Sequence, residues 1–535
     1  MLIKNVFLRS HFRDGSLFMM KILGKIPGAI FILLLVVSCS IGKQRPLLTK
    51  LEGIGHIHLT SSAEIAMFLT ELSRRNTTAE KVTVASSALG SPIDALLVSS
   101  EMNRFKKGYP SNDRISFMLI GSQHGTEPSG AEALLLLSRE IVEGGLKSYL
   151  EGMNFIIIPN SNPDGSNLNR RVNGNRVNLS TNYTILSEPE SRGIIDVLHR
   201  WKPEVVLDVH ESAVLKKKSL GRQGYLTDFE AQFEAANNPN VDRQIRTFSY
   251  NTLLPEVISL VNAQGLPAQR YIGEITDIHQ PITHGGLSLR NLRNMAGMMG
   301  SLSFLLENRL DPSTGSYQTP RNIRARVTKQ YLCISSFLSC CCIHRSEIIE
   351  LSRNARMRWR THQAEDPLYL FFAYVADQNR PQITLPLRKL ETGESVKDTF
   401  KYYGNVEYHS PFTLPAAYIV TVHKNLIKEF LDRHHIAYET AKQPVEVPVE
   451  IQYIVCRQGA MTETGQACAD YSVRERVEKY TLHQSDLIIR LDQPARRLIP
   501  LFLEPQSLGS IFNSHEYRHF LKKQGDFFIY RIRET

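Results

Sequence analysis

From Leu51 to about Arg309, short unbroken apolar runs alternate with segments whose apolar residues recur at helical spacing. That order predicts an α/β layered fold. Ile115–Ile120, Phe155–Ile158 and Val205–Val209 read as strands, the second closed by Pro159 and an Asn/Asp/Gly loop. Gly130–Val142 and Ser191–Leu198 read as helices. Ala296–Leu306 is apolar on nearly every face and predicts a buried helix running into a strand. After Asp311-Pro312-Ser313-Thr314-Gly315 the pattern changes. Tyr331–Ile343 predicts a helix packed on the main domain, too short to span a bilayer. From Leu368 onward, short runs such as Tyr369–Tyr374 and Val445–Val455 predict a smaller β-rich domain. No fixed-period repeat is present.

Length and charge refine this picture. A chain of 535 residues with 42% hydrophobic and 22% charged residues is globular and long enough for two domains. The net charge of +10 invites a nucleic-acid partner, but it sits in two islands. One is the N-terminus, with Lys4, Arg9, Arg13, Lys21 and Lys25 against Asp14; the other runs from Arg321 to Arg360, where only Glu347 and Glu350 oppose the basic residues. The rest is near neutral, with no basic face carrying stacking aromatics, so no nucleic-acid partner is expected. Lys21 and Lys25 precede the apolar run Ile26–Val37 and Val36-Val37-Ser38-Cys39, the layout of an export signal. Met19 or Met20 is a candidate start for it. Its end resembles the lipobox of bacterial lipoproteins, which implies lipidation at Cys39, a membrane anchor, and an exported protein of the bacterial cell envelope on the periplasmic or cell-surface face. The expected organisation is a signal peptide over 1–38, a catalytic domain over 39–315, a basic connector over 316–365 able to rest on anionic lipid, and a β-rich extension over 366–535. Cys456 and Cys468 are close enough in sequence to pair in an oxidising compartment; sequence does not settle whether they do.

The chemistry concentrates in one turn. Between the first predicted strand and helix the chain reads Gly121-Ser122-Gln123-His124-Gly125-Thr126-Glu127-Pro128-Ser129-Gly130. A His and a Glu three residues apart, at the carboxyl end of a strand, can aim both side chains at one metal ion, and open α/β sheets place ligands at that end. His210 closes the Val205–Val209 strand in the same way. His124, Glu127 and His210 make a His₂Glu set that leaves tetrahedral zinc one position for water, whose pKa it lowers to ~7. Alone, the His-x-x-Glu spacing also suits a helix start, with His124 as cap and Glu127 in the first turn. His56, His58, His199, His434 and His435 lie outside any ligand spacing, and Trp201 and Trp359 read as packing residues.

Further features follow in order: Asn162-Pro163-Asp164-Gly165, Arg171-Val172-Asn173-Gly174, His210, and Leu305-Leu306-Glu307-Asn308-Arg309. With His124 and Glu127, this order resembles the zinc carboxypeptidase family, the one that includes carboxypeptidase A, over roughly Glu52 to Leu310. Leu414–Ile419 and Leu503–Ser507 are similar to parts of a C-terminal extension in some bacterial members. The resemblance implies a mixed twisted sheet flanked by helices, Zn²⁺ held by His124, Glu127 and His210, and a peptide substrate. Glu307 is implied as the general base, a role that needs an apolar, water-poor pocket; the plainer alternative is a strand-end Glu paired with Arg309. Arg171 is implied as the group that stabilises the oxyanion, with Arg170 a rival, and Tyr271 is a candidate for the substrate-side Tyr.

The chain also departs from the family. Where Val-Asp-Leu-Asn-Arg-Asp/Asn-aromatic is usual, it reads Val177-Asn178-Leu179-Ser180-Thr181-Asn182-Tyr183. The usual Asp orients a zinc-binding His; Asn178 can accept the same hydrogen bond without the charge, a loss that typically costs ~10–100-fold in metal affinity or activity. Ser180 and Thr181 stand at the substrate-binding pair, and two hydroxyls cannot rebuild a charged bidentate clamp. Arg170, Arg176 and Arg192 are the nearby cations. The leading expectation is an exported zinc metallocarboxypeptidase acting on peptide bonds. The alternatives are a zinc amidohydrolase on N-acyl amino acids or cell-wall peptides, and a catalytically weak binding lipoprotein. Retention of a costly buried carboxylate at Glu307 speaks against the last.

Overall fold

A computed structural model describes residues 46–533 apart from 109, 112, 213–216, 311–321, 361–365, 409–410, 457–470 and 523. The expected signal peptide, Cys39 and Cys468 lie outside the described residues. In chain order the main body contains β1 (Ala79–Ser86), β2 (Pro92–Val98), β3 (Ile115–Gly121), β4 (Met153–Ile158), β5 (Val205–Ser212), β6 (Tyr225–Thr227), β7 (Ala231–Ala235), β8 (Ala268–Arg270) and β9 (Leu302–Arg309). All but β6 form one sheet in the order β1-β2-β4-β3-β5-β9-β7-β8. Its centre, β4-β3-β5-β9, is parallel, and β1, β2 and β7 join antiparallel. This is the mixed sheet expected.

The central strands explain their own sequences. β3 and β4 are buried at every position, because parallel strands are covered on both faces and so read as unbroken apolar runs. Phe117 and Phe155 are register partners whose rings stack at 5.4 Å, worth about 0.5–1.5 kcal/mol beyond their burial. The helix Pro128–Val142 packs on β3, β4 and β5, Pro189–Trp201 on β1, and Leu292–Met298 on β5 and β9. Pro opens the first two of these helices, where its missing N–H costs nothing.

The expected basic connector over 316–365 is described in part. Its described part is two helices, Ile323–Ile343 and Arg345–Arg360, bent by 81° and packed on the body through Cys333, Phe337, Ile348 and Trp359. Several of their cations are engaged internally. Arg326 pairs with Glu211, Arg358 with Asp242, and Arg356 donates to the carbonyls of Met299, Lys202 and Pro203. Among the described residues no single helix is long and apolar enough to cross a membrane.

The region from 366 onward is β-rich, as expected, and the described residues from Leu47 onward pack as one unit. It adds β10 (Phe372–Val375), β11 (Gln382–Lys389), β12 (Ser395–Lys401) and β13 (Asn405–Tyr408), then a seven-stranded sheet that includes Ala417–Val420, Glu446–Cys456 and Tyr471–Thr481. The two extension stretches singled out by sequence meet here. Buried Glu504 accepts hydrogen bonds from the Tyr418 hydroxyl (2.7 Å), Gln452 Nε2 (2.9 Å) and Arg531 Nε (2.7 Å). β11 also reaches into the main body, pairing with β6 through Leu387–Thr227, Arg388–Leu226 and Lys389–Tyr225.

Candidate metal centre and catalytic cleft

His124 and Glu127 sit in the turn between β3 and the Pro128 helix. The turn is pressed so closely against Asn162–Gly165 that a Cβ on Gly125 would lie 2.0 Å from the Gly165 carbonyl carbon. Only Gly fits there. Asn162 ties the two turns together, its Nδ2 donating to the Gln123 carbonyl (3.0 Å) while its Oδ1 accepts from the Gly165 N–H (2.9 Å). Glu127 occupies the N-cap of the helix, yet its side chain makes no capping hydrogen bond. It turns instead toward the imidazoles: His124 Nδ1 lies 2.8 Å from Oε1 and His210 Nδ1 3.0 Å from Oε2. That orientation decides between a helix cap and a ligand.

His210, on β5, completes the group. One donor atom from each of His124, Glu127 and His210 falls within 4.8 Å of the others, and all three residues are buried. Two imidazoles and a carboxylate are a zinc donor set with room for a further ligand, and the charge around them fits a cation. Burial opposes charge on His210, yet Asp208 and Glu127 beside it outweigh this and raise its pKa well above the usual range. Burial pushes the Glu127 carboxyl up, but His124 and His210 hold it well below the ordinary value. Both imidazoles turn Nδ1 inward and Nε2 outward. His124 Nε2 meets Asn178 Oδ1 at 3.1 Å and Ser180 Oγ at 2.9 Å, and His210 Nε2 meets Asp208 Oδ1 at 3.0 Å.

The β5–β9 register sets His210 directly beside Glu307. Glu307 is part-buried, accepts a hydrogen bond from the Ser212 hydroxyl (2.8 Å), and is not held by Arg309, which pairs with Glu230 and donates to the Thr227 carbonyl. Burial, with the Glu127 charge adding to it and His210 opposing, pushes the Glu307 carboxyl up to about 7. A cavity of about 140 Å³ joins Glu127, Glu307, Arg171 and Tyr271. Arg171 Nη1 donates to Glu127 Oε1 at 2.8 Å. Leu220, Leu226, Ile272 and Ile275 supply the apolar part of the cavity's lining, beside Ser219, Thr227, Gln232 and Glu274. Leu226 belongs to β6, so the extension's strand β11 braces that part from behind.

The structure therefore brings Glu127, Glu307, Arg171 and Tyr271 to one cleft, with His124 and His210 buried against Glu127. It separates the other two candidates. The Ser180 hydroxyl is engaged with His124 and Asn178, and exposed Thr181 borders a different hollow, with Arg290 and residues 508–516. Sequence reasoning missed Asp208 and Gln123 beside the metal site, although Asp208 stands two residues before His210 on a strand and so shares its face. It read the next helix over Tyr331–Ile343 only and missed its first turns from Ile323, where Gln330 Nε2 donates to the His210 carbonyl (2.8 Å) and Lys329 Nζ to the Arg309 carbonyl (3.1 Å). A polar residue in an apolar helix carries no local sign of its partner.

A family model described as zinc carboxypeptidase matches residues 65–186, the segment that carries His124, Glu127 and Arg171. Over this segment the chain is similar to the zinc carboxypeptidase family. Carboxypeptidase 2 of Trichophyton rubrum is 26% identical over 205 residues, 37% of this chain and 38% of that protein. Carboxypeptidase SOL1 of Arabidopsis thaliana is 30% identical over 115 residues, 19% of this chain and 23% of that one. The matches thus span less than half the length of either relative. A metallo-carboxypeptidase structure from Burkholderia cenocepacia aligns with a TM-score of 0.41 at 17% identity, covering 54% of this chain and 71% of that one. Zinc is the metal of the zinc carboxypeptidase family, and the His124–Glu127–His210 group fits it.

Proposed function

We propose that the chain is a zinc-dependent hydrolase that cleaves peptide bonds in the manner of a carboxypeptidase. One observation carries this reading: the β5–β9 register sets His210 of the candidate metal group beside Glu307, and Glu307 and Glu127 line one cleft. His124, Glu127 and His210 would hold zinc, which when bound would acidify a water for use as nucleophile. Glu307, kept in a poorly hydrated recess, takes the proton and passes it to the leaving amine. Arg171, at the mouth of the same cleft, donates to the carbonyl oxygen as negative charge develops on it. Leu220, Leu226, Ile272 and Ile275 offer an apolar surface to the substrate side chain.

A second reading has its own support. Ser180 is occupied with His124 and Thr181 lies outside the cleft, so neither offers a clamp for a terminal carboxylate. That favours amides with no free carboxylate beside the scissile bond, such as those of C-terminally amidated or cell-wall peptides. Hydrolysis of a panel of free-acid peptides, C-terminally amidated peptides and N-acyl amino acids by zinc-loaded protein separates the two. Release of C-terminal residues from free-acid peptides only is the expected result; turnover confined to C-terminally amidated peptides or to N-acyl amino acids sinks the carboxypeptidase reading.

The protein is further proposed to be exported and anchored by lipid at Cys39, a reading supported by Lys21, Lys25 and the apolar run ending at that residue. Fatty-acid labelling of cells expressing the full chain is expected to mark the protein and to be lost in Cys39→Ala. Equal labelling of both contradicts the anchor.

A further inference from the structure

The departure at Asn178 removes a carboxylate from one zinc ligand, and the structure contains another behind the second ligand. Asp208 and His210 project from the same face of β5, two residues apart. Asp208 Oδ1 meets His210 Nε2 at 3.0 Å. The same oxygen accepts from Gln123 Nε2 at 2.7 Å, and Gln123 Oε1 accepts from the Tyr183 hydroxyl at 2.8 Å. The Tyr183 bond fixes which way the Gln123 amide points, because a hydroxyl donating to Oε1 leaves Nε2 facing Asp208. Asp208, Gln123 and Tyr183 are 4%, 1% and 1% exposed, so water does not compete for these bonds.

We propose that Asp208 is the positioning residue of the metal centre. It holds His210 with the proton on Nε2 and the Nδ1 lone pair toward Glu127 and His124, and it supplies from the β5 side the carboxylate charge that Asn178 lacks. A carboxylate behind a metal-binding imidazole fixes the ring and makes its other nitrogen a stronger donor. Gln123 precedes His124, and Tyr183 ends the loop that carries Asn178 and Ser180. The two imidazoles are thus held by two sets of hydrogen bonds joined through the backbone, one charged at His210 and one neutral at His124.

The inference rests on the reading of His124, Glu127 and His210 as zinc ligands, and the test keeps the two apart. Zinc affinity of the purified full chain is measured by competition with a chromophoric chelator for the wild type, His210→Ala, Asp208→Asn, Tyr183→Phe, Asn178→Asp and the Asp208→Asn/Asn178→Asp pair. A wild type that binds no zinc removes the ligand reading itself. If wild type binds and His210→Ala does not, Asp208→Asn is expected to weaken zinc by about 10–100-fold. Tyr183→Phe, which deletes one hydroxyl at the far end of the set that holds His210, is expected to weaken it by about fivefold. Adding Asn178→Asp to Asp208→Asn is expected to recover most of the loss, since it returns a carboxylate to the other imidazole; a merely structural Asp208 gives no such rescue. Zinc affinity unchanged in Asp208→Asn, or in Tyr183→Phe should Asp208→Asn not fold, overturns the proposal, as does an absence of rescue.

Discussion

Glu307→Gln is expected to lower kcat by about 10²–10⁴-fold while leaving zinc bound at the wild-type stoichiometry. Glu307 is not among the three residues whose donor atoms converge, so its amide analogue leaves the ligand set intact. It keeps the side chain's shape and an oxygen for the Ser212 hydroxyl. What it loses is the capacity to take a proton, and a loss confined to kcat is the signature of an interaction made only in the transition state. The pH profile carries the same information with a definite sign. Burial raises the Glu307 carboxyl to about 7, and a base works only when ionised. Wild-type kcat/KM is therefore expected to rise with pH along a limb centred at or below about 7, since a cation at the neighbouring ligands draws that carboxyl down. The limb should vanish in the variant.

The second large effect lies behind the site. Arg326→Met is expected to destabilise the fold by about 3–5 kcal/mol, read from the denaturation midpoint. Arg326 Nε and Nη2 each lie 2.8 Å from an oxygen of Glu211, and both side chains are 1% exposed. Removing the guanidinium leaves a carboxylate buried next to His210 with no ion partner of comparable geometry, and that unpaired charge is what costs stability. Glu211 also accepts from the Ser129 N–H of the Pro128 helix (3.1 Å), so the strain reaches the turn that carries Glu127. Arg326→Met combined with Glu211→Gln is expected to recover part of the loss, because no unpaired charge remains while the Ser129 bond persists. An Arg326→Met protein as stable as wild type contradicts the assignment of this helix as a structural clamp.

These two residues were not equally legible. Glu307 announces itself locally, as a carboxylate closing an apolar strand, and the His124 turn and Asn162–Gly165 are likewise short-range patterns whose close approach demands particular residue types. The central strands were legible because burial on both faces leaves them unbroken and apolar. Arg326 was not legible, because its partner is far away in sequence and a run of Arg reads as solvated until the packing is known. The same blindness hid β6 and β11, whose pairing joins residues 225–227 to 387–389; each strand is locally unremarked, and only their register makes the extension a wall of the cleft. Asp208 is the intermediate case. Its spacing from His210 is visible in sequence, but the reading of Val205–Val209 as an apolar strand absorbed it. Ser180, taken as a substrate contact by position, proves to face His124 because the loop from Asn178 turns it inward.

The central assignment is tested most directly by titrating zinc into metal-stripped wild type and Glu307→Gln side by side, with hydrolysis of the best panel substrate followed at each step. Expected is one tightly bound zinc per chain in both proteins, with hydrolysis rising in parallel to saturate at one equivalent in the wild type and staying near background in Glu307→Gln. Hydrolysis that is indifferent to zinc, or one zinc bound per wild-type chain with no Glu307-dependent cleavage of any amide, contradicts it.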